Sequence, residues 1–308
     1  MKGKLYIMGA PACIFSGLRP DIAERVVYLS DAMRCPRGWL KRVTRGLLAG
    51  RMPLPRRLLK WWFPAEDFDR LMEARDGDGV LLYEWVNARV LGALMSCLPR
   101  GVTWHIYYCN PIGAIFRDPP RVLERLSGLG AKLSSFDAVD ARRYGIAMTG
   151  QFFRYVDTAP ATADEAMTDC FFCGLPKDRR WLLDTLRGVL ERQGCTCDFI
   201  IPGGGTPRIP YGEYLHRLAR SRCVVDICQS GQTGLTRRPL EAVFFGKKLI
   251  TNNALIRTFD FYNPENVFIF GAESEARLAD FVRTPAVPVP EEILDKYDVN
   301  GWVSQFMD

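Results

Sequence analysis

The sequence has no long hydrophobic run, no internal repeat and no low-complexity segment. No apolar run reaches the roughly 18 to 20 residues that a membrane-spanning helix needs, so we expect no such helix. The apolar start, MKGKLYIMGAPACIFSG, contains Gly-Ala-Pro and predicts a first strand rather than a secretory signal. We therefore expect a cytoplasmic protein.

Acidic residues are absent between Arg34 and Lys60, whereas nine basic residues lie there. Tryptophans are interleaved with this stretch or follow it directly, which defines a basic, Trp-rich insert at residues 34–65. One interpretation is an interfacial segment that binds an anionic membrane surface, peripheral on the inner face of the plasma membrane, or a lipid-linked acceptor. The alternative is a solvated basic face with its tryptophans in the core. Nucleic acid is not an expected partner, because no recognised binding module is visible.

The ten cysteines raise the question of whether the chain binds zinc. Cys170-x-x-Cys173 and Cys195-x-Cys197 have short spacings, but both lie in or beside predicted strands. A regular strand places Cys170 and Cys173 on opposite faces of its sheet. We therefore expect reduced, mostly buried thiols and no metal site.

Strands and helices alternate along the 308 residues, a length that suits two domains of about 150 residues each. This alternation predicts an α/β fold with mostly parallel sheets and right-handed crossovers. The stretch at 157–167 is poor in large apolar residues and predicts the domain boundary. We predict one domain at 1–156, a second at 168–284 and a tail at 285–308.

Ser221 to Asn253 is the most informative stretch. A β-branched strand is followed by a Gly/Ser/Thr loop, an amphipathic helix that ends at Gly246, and a second strand at Lys248 to Thr251. The loop therefore lies at the carboxyl end of a strand and the amino end of a helix, where unpaired N–H groups and the helix dipole favour an anion.

The same stretch carries a family resemblance. Gly-Leu-Thr-x-Arg-x-x-Glu-Ala, followed by Gly-Lys-Lys-Leu-Ile-Thr, resembles the nucleotide-sugar-binding half of GT-B glycosyltransferases. It is most similar to bacterial enzymes of lipopolysaccharide-core and capsule synthesis, from about Asp169 to Phe270. The resemblance implies two Rossmann-like, doubly wound domains facing a cleft, with the last helix crossing back to the first domain. It also implies sugar transfer to a glycan or glycolipid acceptor, with the nucleotide-sugar as co-substrate and no cofactor.

Donor-site residues are expected on three loops of the second domain, at 174–180, 202–206 and 229–236. Basic side chains there offset a diphosphate's charge and glycines allow close backbone approach, while Glu241 corresponds to the second Glu of the family's Glu-x7-Glu pair. Thr233 stands where retaining enzymes have the first Glu, which favours inversion. The predicted set is Lys177, Arg179, Gly231, Thr233, Gly234, Leu235, Thr236, Arg238 and Glu241.

An inverting enzyme needs a base for the acceptor hydroxyl. The candidates in the first domain are Glu84 and Asp137, with His105 as a weaker one because it falls in mid-strand. No Asp-x-Asp motif is evident at a strand end, in keeping with metal-independent transfer. The competing hypotheses are a sugar-nucleotide epimerase on the same architecture, and a membrane-associated module that binds sugar nucleotides without catalysis.

The basic insert yields the first testable prediction. Vesicles containing anionic lipid are expected to bind the protein at low salt, and binding should fall steeply as salt is raised, because charges are screened within about 10 Å at roughly 0.1 M. Co-sedimentation across a salt series measures this, with zwitterionic vesicles as the control. Salt-independent binding, or none, would favour the alternative in which Trp61 and Trp62 belong to the core.

Overall fold

The computed structural model describes residues 3–10, 12–29, 59–60, 63–154, 167–203, 207–229 and 233–307. The chain divides into two compact units, one of Met1–Gly150 with Val299–Asp308 and one of Gln151–Asp298. Each unit is built on a parallel sheet, so the predicted α/β class with two Rossmann-like units is confirmed. The predicted boundary at 157–167 lies outside the described residues except for Met167.

In the first unit, the strands are β1 (Leu5–Met8), β2 (Val26–Tyr28), β3 (Gly79–Tyr83), β4 (Thr103–Tyr108), β5 (Lys132–Ser135) and β6 (Ala147–Met148). The helices of the described residues are α1 (Pro20–Ala23), α2 (Ala65–Leu71), α3 (Ala88–Met95), α4 (Ile112–Ile115), α5 (Pro119–Ser127), α6 (Ala138–Tyr144) and, after the second unit, α12 (Val299–Ser304). The strand order is β2-β1-β3-β4-β5-β6 with all pairs parallel, so the direction of winding changes between β1 and β3.

Both faces of this sheet are covered. Tyr6, Val80 and Ile106 pack on one face with apolar side chains of α2, α3 and α5. On the other face Trp302 of α12 lies against Tyr107, with ring centroids 4.9 Å apart. The C-terminal segment therefore supplies part of the core of the unit that the N-terminal segment begins.

The first helix of this unit is short. The helix ends at Ala23, and Val26–Tyr28 form β2 beside β1. Two consecutive β-branched residues favour a strand, and the free edge of β1 supplies the partners. Asn87 caps α3, since its side chain accepts hydrogen bonds from the N–H groups of Arg89 and Val90.

In the second unit, the strands are β7 (Thr168–Cys173), β8 (Cys197–Ile200), β9 (Ser221–Asp226), β10 (Lys248–Thr251) and β11 (Val267–Ile269). The helices are α7 (Arg180–Arg192), α8 (Tyr211–Ala219), α9 (Arg237–Phe244), α10 (Leu278–Arg283) and α11 (Glu291–Leu294). The order is β11-β10-β9-β7-β8, again parallel, with the change of winding between β7 and β9.

This second sheet is also doubly wound. Leu186 of α7 and Val282 of α10 pack on one face, while Leu218 of α8 and Leu240 of α9 pack on the other. Cys170 belongs to the first of these cores and Cys173 packs against the second, as the period of the strand predicted. Among the described residues no group of three or more His, Cys, Asp or Glu side chains is arranged to hold a metal ion.

Most of the basic, Trp-rich insert lies outside the described residues. Leu59 and Phe63, near its end, are buried in the core of the first unit. No helix in the described part of the chain is long and apolar enough to cross a membrane.

His105 yields a stability prediction. It lies in β4, 7% exposed, and burial together with nearby Lys132 lowers its pKa to about 4. The unfolded chain takes up this proton near pH 6.5, so it binds more protons than the folded chain between pH 6.5 and 4, and stability falls as the pH is lowered through this range. The loss approaches roughly 3 kcal/mol.

Thermal midpoints measured from pH 7.5 to 4.5 test this. His105→Gln should flatten the pH dependence, whatever its effect on the midpoint at pH 7.5. The matched control is His216→Gln, because His216 is the only other histidine and is exposed. Equal pH slopes in His105→Gln and the unmodified protein would contradict the prediction.

Candidate functional site

The change of winding in the second sheet places the carboxyl ends of β7 and β9 side by side. In open α/β sheets, ligands bind at such a switch point. β7 ends at Cys173 and is followed by Gly174, and β9 ends at Asp226. The helix α9 begins after the loop that follows β9, at Arg237. The candidate site is built from these strand ends and the two loops.

A buried ion pair joins the strand ends to α9. Arg238 donates to Asp226 over 3.1 Å (Nη1 to Oδ1) and to the carbonyl of Cys173 over 3.0 Å. Thr236 donates its hydroxyl to the other oxygen of Asp226 over 2.9 Å, and its side chain does not cap α9. The Asp226 side chain is 1% exposed. The charge of Arg238 is thus already matched within the protein.

Arg179 differs from Arg238 because its charge has no matching carboxylate. It is 6% exposed and donates to the backbone carbonyls of Ile227 and Leu175. Its Nε is buried without a hydrogen-bond partner, and no carboxylate of the described residues lies within ion-pair distance. Burial and the neighbouring Arg238 lower the pKa of Arg179. A bound anion, in addition to Asp226, would give Nε a hydrogen-bond acceptor. Its charge would also offset the effect of burial and of Arg238 on the charged guanidinium group.

Phe172 and Gly174 hold the two guanidinium groups together. The carbon atoms at the centres of these groups lie 5.4 Å (Arg179) and 5.0 Å (Arg238) from the centroid of the Phe172 ring. A Cβ atom on Gly174 would lie 2.5 Å from one nitrogen of Arg238 and 3.3 Å from one of Arg179. A larger residue at this position would therefore displace the Arg238 guanidinium group from its present place.

Glu241 lies one turn into α9 and is 4% exposed. Its carboxylate accepts a hydrogen bond from the hydroxyl of Tyr214 on α8. Burial raises the pKa of Glu241, while this hydrogen bond and Arg238 act in the opposite direction. The pair links α8 to α9, and Tyr214 is stacked on Tyr211 with centroids 5.8 Å apart.

The other predicted donor-site residues have different surroundings. Lys177 is exposed and has a positive φ of 44°, which places strain in the loop after β7. Gly234 and Leu235 are buried, and Leu235 belongs to the core between the sheet, α8 and α9. Thr233 is half-buried, and its carbonyl accepts a hydrogen bond from Asn253 over 3.3 Å. Gly231 lies outside the described residues.

The base candidates of the first unit are also engaged. Asp137 is 3% exposed and caps α6 by accepting from the N–H of Val139. His105 points to Phe306, with ring centroids 5.2 Å apart. Glu84 is half-exposed at the carboxyl end of β3, next to the change of winding in that sheet.

Sequence reasoning missed Asp226, Tyr214 and Phe172. A signal was present for Asp226, since it is a carboxylate that interrupts an apolar strand just before a Gly/Ser loop. No comparable signal marks Tyr214, because its partner lies 27 residues away in the sequence. Asp178 lies in the 3-10 turn Lys177–Arg179, and α7 begins at Arg180.

No protein-family model matches the chain, and no curated protein matches it. The chain is similar to solved structures that include two glycosyltransferases. One is AviGT4, a glycosyltransferase involved in avilamycin A biosynthesis, at 13% identity over 98% of this chain and 95% of that one, with a TM-score of 0.41. The other is an alpha-glucosyltransferase solved with UDP and a 13-mer DNA containing a HMU base, at 9% identity over 100% and 96%, with a TM-score of 0.46.

The buried Tyr214–Glu241 pair yields the third prediction. Tyr214→Phe removes the donor and leaves a carboxylate buried without its hydrogen bond, which costs about 1–3 kcal/mol of unfolding free energy. Tyr297→Phe is the matched control, because its hydroxyl also bonds a carboxylate, that of Asp260, whose side chain is 39% exposed. In Tyr297→Phe, water replaces the hydrogen bond to Asp260, so the loss of unfolding free energy should be about 1 kcal/mol or less. Urea unfolding followed by a probe in the second unit measures both, and equal losses would contradict the prediction.

Proposed function

We propose that the chain is a glycosyltransferase that moves a sugar from a nucleotide-sugar donor to a lipopolysaccharide-core or other surface-glycan acceptor, without a bound metal. The observation that carries this proposal is Arg179, a buried guanidinium with an unpaired Nε at the switch point of the second sheet. The resemblance of residues 169–270 to nucleotide-sugar-binding domains supports the same assignment.

The charge balance of the site favours a diphosphate. Arg179 and Arg238 contribute two positive charges, Asp226 contributes one negative charge in direct contact, and the buried carboxyl of Glu241 interacts with the charge of Arg238. Lys177 on the same loop as Arg179 is exposed and adds a further cation. One or two phosphate groups would neutralise the remaining positive charge of the site. Guanidinium groups bind phosphate oxygens in a bidentate manner.

The proposed reaction is the transfer of the sugar from the nucleotide to the acceptor hydroxyl. The bond between C1 of the sugar and the diphosphate oxygen breaks, and its electron pair leaves with the nucleoside diphosphate. The acceptor hydroxyl oxygen forms the new bond to C1, and its proton passes to a base. The cationic site stabilises the negative charge that develops on the leaving group, which is the task a divalent metal performs elsewhere.

The acceptor class rests on sequence. The resemblance is strongest to enzymes of lipopolysaccharide-core and capsule synthesis, and the insert at 34–65 combines basic and aromatic residues. Such an insert suits a phosphorylated glycolipid acceptor at an anionic surface.

A second candidate function is a sugar-nucleotide-binding module without catalysis. The engagement of Asp137 as a helix cap favours it, because one of the two predicted bases is already committed to structure. Binding of a sugar nucleotide without any release of nucleoside diphosphate, in water or with acceptor, would support this candidate.

The fourth prediction tests the donor site. A thermal-shift screen with UDP-glucose, GDP-mannose, dTDP-glucose and CMP-N-acetylneuraminate should show stabilisation by one of them. Arg179→Met should then raise the Kd of the corresponding nucleotide roughly 10- to 100-fold, because a hydrogen bond to a charged group contributes about 1.5–3 kcal/mol.

Arg180→Met is the matched control. Arg180 is the next residue, exposed and paired with Asp184 over 2.9 Å, so its removal alters the net charge equally but leaves the buried site intact. Calorimetric titration of both variants compares the two Kd values. Equal weakening in both, or no binding of any sugar nucleotide by the unmodified protein, would reject the proposal.

A further inference from the structure

Asn252 follows β10 directly, and its side chain pairs with the backbone of the neighbouring chain segment. β10 ends at Thr251, whose register partner is Asp226 at the end of β9. One residue further, Oδ1 of Asn252 accepts from the N–H of Cys228 over 2.7 Å, and Nδ2 donates to the carbonyl of the same residue over 3.5 Å. The side-chain amide thus continues the pairing of β10 with β9 beyond the point at which both strands end.

The peptide group between Ile227 and Cys228 is hydrogen-bonded at both of its edges. Its N–H donates to Asn252, and its carbonyl, which belongs to Ile227, accepts from Nη1 of Arg179. A peptide group is planar, and in its trans form the N–H and the C=O point in opposite directions. Asn252 and the guanidinium group of Arg179 therefore lie at opposite edges of one rigid group. The bond to Asn252 sets the direction in which the carbonyl points.

We infer that Asn252 is a positioning residue for Arg179 and acts through this peptide group; the inference rests on the proposed function, in which Arg179 binds a phosphate of the donor. Ile227 and Cys228 are buried, so without Asn252 the N–H of Cys228 would lose its acceptor in a place that water does not reach. The peptide group would turn to regain an acceptor. That turn would take the Ile227 carbonyl away from Arg179 and allow the guanidinium group to move.

Arg179 depends on such support more than Arg238 does. Its guanidinium group donates to the backbone carbonyls of Ile227 and Leu175, whereas Arg238 also bonds the carboxylate of Asp226. The full charge of a carboxylate attracts a guanidinium group more strongly than the dipole of a carbonyl does. The orientation of the Ile227 carbonyl is therefore a main determinant of where Arg179 places its charge, and hydrogen bonds in a chain of this kind strengthen one another.

A double-mutant cycle tests the inference with the sugar nucleotide that gives the largest thermal shift among UDP-glucose, GDP-mannose, dTDP-glucose and CMP-N-acetylneuraminate. Asn252→Ala should raise its Kd about tenfold in the otherwise unmodified protein. In the Arg179→Met background, the same substitution should change Kd less than about twofold, because the group that Asn252 positions is absent. Calorimetric titration of the four proteins measures both effects. An equal rise in the two backgrounds, or no rise in either, would overturn the inference.

Asn266→Ala is the matched structural control. Its side chain makes the same kind of pair, since Oδ1 accepts from the N–H of Val287 over 2.8 Å and Nδ2 donates to the carbonyl of that residue over 2.7 Å. Asn266 directly precedes β11, so it lies at the amino edge of the parallel sheet, opposite to the candidate site. Asn266→Ala should lower the thermal midpoint and leave Kd unchanged. A rise in Kd equal to that of Asn252→Ala would show that lost stability alone weakens binding, and would overturn the inference.

A second measurement needs no ligand. Phenylglyoxal modifies accessible guanidinium groups, and Arg179 is only 6% exposed. Asn252→Ala should raise the rate of modification at Arg179 several-fold relative to the exposed Arg208 of the same unit, as followed by mass spectrometry. Asn252→Asp should keep the rate of the unmodified protein, because a carboxylate oxygen still accepts from the N–H of Cys228.

The two measurements separate the inference from the proposed function. An unchanged rate at Arg179 in Asn252→Ala, or an equal rise in Asn252→Asp, would overturn the positioning role whether or not a nucleotide binds. If the rates change as expected and the unmodified protein binds no sugar nucleotide, the positioning of Arg179 by Asn252 stands and the proposed function is rejected.

Discussion

The buried ion pair between Asp226 and Arg238 is the interaction on which the second unit's site depends. It ties together the end of β9, the end of β7 through the carbonyl of Cys173, and the first turn of α9. Removing one partner of a buried pair costs about 3–5 kcal/mol, because the remaining charge is left without compensation. The pair therefore fixes the positions of β7, β9 and α9 relative to one another. Arg179 lies beside the pair, and no carboxylate of the described residues matches its charge.

The two units share a backbone feature next to the change of winding in their sheets. Each sheet changes its direction of winding once, and each carries a non-glycine residue with positive φ after a strand that borders the change, Glu84 after β3 and Lys177 after β7. In both cases the side chain is ionisable and accessible to solvent. Strain of this kind costs about 1–3 kcal/mol and persists only where surrounding contacts impose it.

Sequence periodicity was sufficient for much of the fold. β10 begins and ends at the predicted residues, Lys248 and Thr251, so it was predictable from the local pattern. The strand β2 was not, because three residues next to a helix give no period of their own and are recruited by the edge of β1. Local pattern therefore predicts elements that have a clear apolar period. Tertiary pairing determines whether short segments without such a period form strands.

The site was less predictable for a related reason. Arg179, Thr236 and Arg238 were predicted as site residues because they lie in loops at strand ends, where ligands bind in folds of this class. Their actual partners come from distant positions: Asp226 precedes Arg238 by 12 residues and Cys173 precedes it by 65. Sequence alone did not show that Arg238 and Thr236 bind the protein itself, leaving Arg179 as the unmatched cation. That distinction is set by packing.

The division of the first unit along the chain has a consequence for biosynthesis. Residues 1–150 of this unit emerge from the ribosome before the second unit, and residues 299–308 emerge after it. Trp302, which is 2% exposed and contacts Tyr83 and Tyr107, is therefore absent from the core until the whole second unit has been synthesised. The second unit, by contrast, is continuous from 151 to 298. Domains fold as units during synthesis. The second unit can therefore complete its core before α12 is available to the core of the first unit.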